Sequence, residues 1–196
     1  MNNKIEWELE VAVGTLPEKI ATAFYNVFSD KLGGAEYAPI AYLGHRVSMG
    51  TEHAILAEQA QSYANKAKNI VLIVLYENPG DTDGTHFNLC DIIPVVDGTS
   101  TVSGRIVDVK YEIPEEAQKA FDKMIDGHAA ENIKPFVLLA TQVEVEGISY
   151  IFAAEITANI TSDEKGHTTI ENNIKDIAIV TVSPKYVDIE TILQRW

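Results

Sequence analysis

The feature that most constrains this chain is an internal repeat, because a duplicated unit folds the same way twice. The segments Leu16-Pro17-Glu18-Lys19 and Ala23-Phe24 reappear in the same order as Ile113-Pro114-Glu115-Glu116 and Ala120-Phe121. Further matches follow at nearly constant spacing: Pro39 with Pro135, Gly50 with Gly147, and Ala57-Glu58 with Ala154-Glu155. Each match is weak alone, but their common order indicates a duplication. The sequence therefore predicts two domains, residues 1–97 and 98–196.

The first copy has the periodicity of one strand, one helix and four further strands. Apolar residues alternate with glutamates from Ile5 to Val13, which is typical of a half-buried strand. Thr15 and Glu18 predict a capping box, and Pro17 suits the first helical turn. The predicted inner face of this helix is Ile20, Ala23, Phe24, Val27, Phe28 and Leu32, and Gly33-Gly34 is expected to end it. Four extended segments follow, at residues 37–47, 51–63, 69–77 and 86–95.

The second copy repeats this order after a linker at residues 96–104. Its predicted elements are a strand at 105–112, a helix at 114–126, and strands at 133–145, 148–160, 174–183 and 186–193. Consecutive strands joined by short turns pair antiparallel, and the apolar face of the helix packs on the resulting sheet. The predicted fold class is therefore α+β, with one helix across an antiparallel sheet in each copy.

The charge of the chain limits its partners. The formal net charge is −14, shared equally between the two halves, and the mean hydropathy is −0.03. Such a surface repels phosphate backbones and anionic lipid, so we expect neither nucleic acid nor membrane as a partner. The sequence starting at Met1 has no apolar run of signal-peptide length, which favours a cytoplasmic location.

The titratable residues suggest no catalytic, metal or cofactor chemistry. The five histidines lie at no metal-ligand spacing, and the chain lacks the glycine-rich and nucleophile motifs of common enzymes. The single cysteine, Cys90, lies in a predicted strand without a basic neighbour in sequence, so we expect a buried structural thiol. The sequence therefore predicts a protein that is not an enzyme and holds no metal or cofactor.

The order strand, helix, hairpin, hairpin resembles that of cystatin-like proteins. Arg46-Val47-Ser48-Met49-Gly50 occupies the turn where cystatins carry Gln-x-Val-x-Gly, and the second copy offers Val143-Glu144-Val145-Glu146-Gly147. Over its whole length the chain is similar to bacterial two-repeat cystatin-like proteins. The resemblance implies two cystatin-like modules, and it implies that these ten hairpin-loop residues form the binding surface.

Inhibitory cystatins block papain-like cysteine proteases with an N-terminal trunk, this first loop, and a second hairpin loop bearing Pro-Trp. Here Arg46 and Val143 replace the glutamine, and neither Pro79 nor Pro184 is followed by tryptophan. At such a tip, Glu144 and Glu146 would lose water at a cost of several kcal/mol unless paired. The glycines of the two turns, Gly50 and Gly147, are expected to adopt a positive φ.

We therefore expect a non-catalytic binding protein whose hairpin tips meet a protein or peptide. Two alternatives stay open: a cysteine-protease inhibitor, and a small-molecule binder or enzyme with its site between helix and sheet or between the modules. Exposed edge strands also allow copies of the chain to pair with each other.

Overall fold

The structure is a computed structural model that describes residues 6–29, 34–61, 68–80, 82, 86–98, 104–126, 131–160 and 172–193. The chain divides into two compact units, Met1–Thr101 and Val102–Trp196, which we call module 1 and module 2. In its described part each module has one helix and one five-stranded antiparallel sheet. The predicted α+β class is confirmed.

Module 1 consists of β1 (Glu8–Val13), α1 (Glu18–Phe28), β2 (Ala35–Val47), β3 (Thr51–Gln61), β4 (Lys68–Glu77) and β5 (Phe87–Val96). Its strands lie side by side in chain order. Each strand therefore pairs antiparallel with its neighbour in sequence, as short connections require.

Module 2 consists of β6 (Arg105–Lys110), α2 (Glu115–Ile125), β7 (Glu131–Glu144), β8 (Gly147–Ile160), β9 (Asn172–Val182) and β10 (Val187–Thr191). Its strands also lie in chain order, from β6 to β10. No helix among the residues described in either module is long and apolar enough to cross a membrane.

Each helix packs its apolar face on its own sheet. In module 1, Ile20, Ala23, Phe24 and Phe28 are buried against residues of β2, β3 and β4, including Ile55 and Ile73. In module 2, Ala117 and Phe121 are buried against residues including Phe152 and Val180. Phe24 and Phe121 are almost fully buried, so side chains fill the space between helix and sheet at these positions.

The predicted helix ends are partly wrong. Neither helix has a side-chain cap, so the expected capping box of Thr15 and Glu18 does not form. Instead Pro17 and Pro114 stand at the N-cap in an extended conformation, and their carbonyls accept hydrogen bonds from Ala21 and Gln118. Helix α1 ends at Phe28, before the expected Leu32; Leu32, Gly33 and residues 62–63 lie outside the described residues.

Two β-bulges establish which residues of the modules are equivalent. The β2–β3 register shifts between Pro39 and Ala41 and between Tyr42 and Gly44. The β7–β8 register shifts at the same spacing, between Pro135 and Val137 and between Leu138 and Ala140. The ladders can therefore be matched pair by pair. The equivalent residues are Tyr42 with Leu138, Gly44 with Ala140, His45 with Thr141, His53 with Tyr150, and Leu75 with Val182.

Candidate functional site

The ten residues predicted as a binding surface lie at the β2–β3 and β7–β8 turns. In module 1, Val47 pairs with Thr51 around the turn Ser48–Gly50, where the Ser48 amide donates to the Gly50 carbonyl at 2.8 Å. In module 2, Glu144 pairs with Gly147 around Val145 and Glu146. The second hairpin therefore has a longer ladder and a shorter turn than the first.

Both turns carry apolar side chains into solvent. Met49 is 91% exposed and Val145 is 100% exposed. Val47 and Val143, on the flanking strands, are also exposed, as is Ile148. Large apolar side chains grouped at a hairpin tip are favourable contacts for a partner, because burying them removes apolar surface from water.

The β4–β5 turn lies beside the β2–β3 turn in module 1. Together they line an open cavity of about 290 Å³, formed by residues 47–51 and 77–80. Gly50 lacks the positive φ that we expected. A Cβ at this position would overlap the Tyr76 hydroxyl and the Glu77 carbonyl, so Gly50 is required by close approach of β4.

The corresponding two turns of module 2 are joined by polar contacts. Glu144 accepts hydrogen bonds from the Tyr186 hydroxyl and the Ser183 hydroxyl, both at 3.4 Å. Lys185 Nζ lies 2.5 Å from Glu146 Oε1. Burial and then the Glu144 carboxylate raise the pKa of the Tyr186 hydroxyl. Both glutamates are therefore paired within the module, which lessens the desolvation cost expected from the sequence.

The two glycines of these turns have different roles. Gly147 has the expected positive φ, 142°, and a Cβ there would lie 3.2 Å from Pro184. The sequence match between Gly50 and Gly147 therefore joins two residues with different backbone conformations.

Arg46 lies at the base of its hairpin. Its guanidinium is 2.5 Å from Glu52 Oε2 on β3, and it stacks over the Trp7 ring at 4.9 Å. In module 2, Arg105 donates two hydrogen bonds to the Gln142 side chain, at 3.1 and 2.9 Å. In both modules a side-chain contact thus links the first strand, or the residue just before it, to the first hairpin.

A polar network that the sequence did not predict lies beneath the module 1 turns. The Tyr42 hydroxyl is 3.0 Å from His53 Nδ1, and His53 Nε2 is 2.9 Å from Glu77 Oε2. Lys19 Nζ donates to Glu77 Oε1 at 2.6 Å. These four side chains, which we call the Tyr–His–Glu–Lys network, connect α1 with β2, β3 and β4. Their signal in the sequence was weak, because four polar residues far apart in the chain have no common spacing.

Electrostatics favour a neutral His53 between an ionised Glu77 and a protonated Tyr42. Burial lowers the pKa of the His53 imidazole; Glu77 opposes this shift, while His45 and Lys19 add to it. Burial alone would raise the pKa of the Glu77 carboxyl, but Lys19 and His53 together outweigh burial and lower it. Burial, then Glu10 and Glu77, raise the pKa of the Tyr42 hydroxyl.

These charge states assign the proton of His53. Nε2–H donates to the Glu77 carboxylate, and Nδ1 accepts from the Tyr42 hydroxyl. A histidine oriented by a carboxylate is also a component of acid–base sites. Here both ring nitrogens are engaged and the residue is only 7% exposed, so the geometry favours a brace between strands.

Cys90 is exposed, which corrects the prediction of a buried thiol. In the β4–β5 ladder Val74 pairs with Asp91 and Leu75 with Leu89, so Cys90 is the extra residue of a bulge on an edge strand. Burial, Glu52 and Asp91 raise the pKa of its thiol, and Arg46 opposes them. Across the described residues, no group of three or more histidines, cysteines, aspartates or glutamates is placed to hold a metal ion.

Comparison of the chain with models of protein families, with curated proteins and with solved structures finds no match.

Proposed function

We propose that this protein is a non-catalytic binding protein of two cystatin-like modules, and that its hairpin tips meet a protein or peptide partner. The observation that carries the proposal is the near-complete exposure of Met49 and Val145 at turns joined to a neighbouring turn. The cystatin-like assignment is supported by the element order, in which a helix follows the first strand and two hairpins follow the helix.

Both hairpin tips are ordered by contacts within their module before any partner binds. A loose loop loses conformational entropy when it docks, and this loss subtracts from affinity. Each first hairpin here lies against the second hairpin of its module, with Gly50 close to Tyr76 and Glu146 paired with Lys185. A partner that covers apolar side chains held in this way removes apolar surface from water without first having to order the loop.

The proposal can be tested by selecting a displayed peptide library against the whole chain. We expect enriched peptides whose affinity falls at least tenfold in Met49→Glu or Val145→Glu, because a charge at the tip must be desolvated on binding. Tyr25→Glu and Tyr111→Glu are matched controls, because these exposed aromatic residues lie on α1 and before α2 rather than at a turn tip. A selection without enrichment, or peptides that bind the tip variants as well as the native chain, would contradict the proposal.

A second candidate is inhibition of a papain-like cysteine protease. The observation that favours it is that three segments of module 1 lie close together: Trp7 against Arg46, the turn 48–50, and the turn at 77–80. These segments correspond to the trunk and two loops that the cystatin resemblance implies. Titration of papain with the native chain and with Met49→Glu tests this candidate. Absence of inhibition at micromolar protein would eliminate it for papain.

A further inference from the structure

Module 1 contains a titratable side chain at the point where its two hairpins meet. Glu77 is the last residue of β4, pairs across the ladder with Thr51, and lines the cavity between the turns. Its carboxylate is bonded to His53 on β3 and to Lys19 on α1. Any change in the charge of this network therefore acts directly at the base of both turns.

The side chains around the His53 imidazole belong to the helix and to the neighbouring strands. Tyr42 lies on the neighbouring strand β2 and Glu77 on β4, and the Phe87 ring of β5 lies 5.5 Å from the imidazole. Lys19 of α1 and His45 of β2 are the other titratable groups close to the ring. The carboxylates of Glu8 and Glu10 on β1 lie next to His45, at 3.5 and 3.9 Å from its ring nitrogens. The site therefore holds both signs of charge, and His53 is more buried than its charged neighbours.

We infer that the Tyr–His–Glu–Lys network is a pH-sensitive brace, which holds the module 1 hairpins together at neutral pH and releases them when His53 takes up a proton. The inference rests on the proposed function in treating these tips as a binding surface, and it adds a regulation that the equivalent described residues of module 2 do not provide. Module 2 has Leu138 and Tyr150 where module 1 has Tyr42 and His53.

The mechanism follows from the direction of the hydrogen bonds. A proton on Nδ1 changes this atom from an acceptor into a donor, so the Tyr42 hydroxyl loses its acceptor at a position that is 3% exposed. Burial also disfavours the charge of the imidazolium, and the Glu77 carboxylate offsets this cost only in part. An arrangement in which His53 leaves this position and is protonated in water therefore gains population as the pH falls.

The proton binding of His53 determines how the balance between the braced and open arrangements changes with pH, and by how much at most. Because burial lowers the pKa of His53, the braced arrangement is fully favoured above the ordinary histidine value of 6.5 and loses stability as the pH falls below it. One proton changes the open-to-closed ratio by at most tenfold per pH unit. Between pH 7.5 and pH 5.5 the ratio therefore rises by at most about tenfold.

Hydrogen exchange of the free, whole chain at pH 7.5 and pH 5.5, corrected for intrinsic rates, tests the inference without a partner. We expect amides of residues 46–51 and 77–80 to exchange several-fold faster at the lower pH. The internal control is the module 2 pair, residues 143–148 and 183–186, which contains no histidine and is expected to keep its protection. Equal responses in the two modules, or no response in module 1, would overturn the inference.

Two variants tie the response to His53. His53→Gln keeps a neutral amide that can donate to Glu77 and accept from Tyr42, so the module 1 turns should lose their pH response while staying protected. His45→Gln removes the nearby imidazole and should retain the response. A response that survives in His53→Gln contradicts the inference.

Tyr42→Phe provides a test that does not depend on how well the glutamine fits. It removes the donor that favours neutral His53, so the transition should move to higher pH, as read from the His53 ring resonances by NMR. A transition that stays in place or moves to lower pH would contradict the proposed mechanism. Because no ligand is involved, failure here leaves the peptide-binding test at neutral pH intact, and failure of that test leaves this one intact.

Discussion

The two modules share a scaffold. They differ at the edge of the sheet where the two hairpins of the same module lie side by side. Bulges, strand order and the buried Phe24 and Phe121 are common to both. At the hairpin edge, module 1 joins its strands by the buried bonds of His53. Module 2 instead uses the exposed pair of Lys185 and Glu146, with hydrogen bonds from Ser183 and Tyr186 to Glu144. Since the described residues of module 2 build the same architecture without such a network, the network is a specialised feature of module 1 and is not required by the fold.

The largest loss of stability is expected in the helix–sheet core that both modules share. Phe24→Ala and Phe121→Ala should each lower the free energy of unfolding by about 3–5 kcal/mol, because each removes a buried ring from between helix and sheet. Urea unfolding followed by circular dichroism measures the loss. Val27→Ala is a milder control, since Val27 is only partly buried. If one phenylalanine variant kept native stability, the helix–sheet core of that module would not hold its fold together.

The next largest loss of stability is expected at a backbone position where the two modules carry different residues. Gly44 has a φ of 138°, and a Cβ there would overlap the backbone of Glu8 on β1; its equivalent in module 2 is Ala140. Gly44→Ala should cost about 3 kcal/mol from a strained backbone and a forced displacement of β1. Thermal and urea unfolding would measure it.

Gly80→Ala is the matched control for that substitution. Gly80 also has a positive φ, 87°, but a side chain there would meet open space. The substitution should therefore cost about 1 kcal/mol from the backbone alone. Equal losses at Gly44 and Gly80 would show that the close approach of β1 adds nothing.

The repeat made the architecture predictable, because matched helix starts and strand periods recur along the chain. Local signals were less reliable. Thr15 predicted a cap, but Pro17 has the N-cap position, and the predicted strand at Cys90 is interrupted by a bulge that leaves the thiol exposed. Bulges of this kind shift side chains between faces, and alternation in the sequence does not reveal them.

The candidate site was predictable only in part. The tip residues followed from the position of the turns and from the cystatin resemblance. The Tyr–His–Glu–Lys network depends on the register of three strands and on where α1 crosses them, so its members are neighbours only in the folded chain.

Substitution of Glu77 tests how much the partly buried network of module 1 contributes to stability, for comparison with the exposed Lys185–Glu146 pair of module 2. Glu77→Gln should lower the free energy of unfolding by about 1–3 kcal/mol at pH 7, because Lys19 and His53 lose a charged acceptor. The pKa of Glu77 is lowered in the folded chain, so its contribution is present above about 4.5 and is lost as the pH falls through the folded value. Urea unfolding at pH 7 and at pH 4 should therefore show a smaller gap between native and variant chains in acid. A gap that grows in acid would contradict the assigned charge.

The smallest expected effect concerns the exposed brace of module 2. Lys185→Ala should change the free energy of unfolding by less than about 1 kcal/mol, because its side chain is 65% exposed, that of Glu146 is 41% exposed, and solvent screens the pair. A double-mutant cycle with Glu146→Gln, measured at low and at high salt, isolates the interaction, which should weaken as salt increases. A coupling as large as the loss in Glu77→Gln, or one insensitive to salt, would contradict the distinction between the two braces. The tip of module 2 would then be held as firmly as that of module 1, without the titratable histidine of module 1.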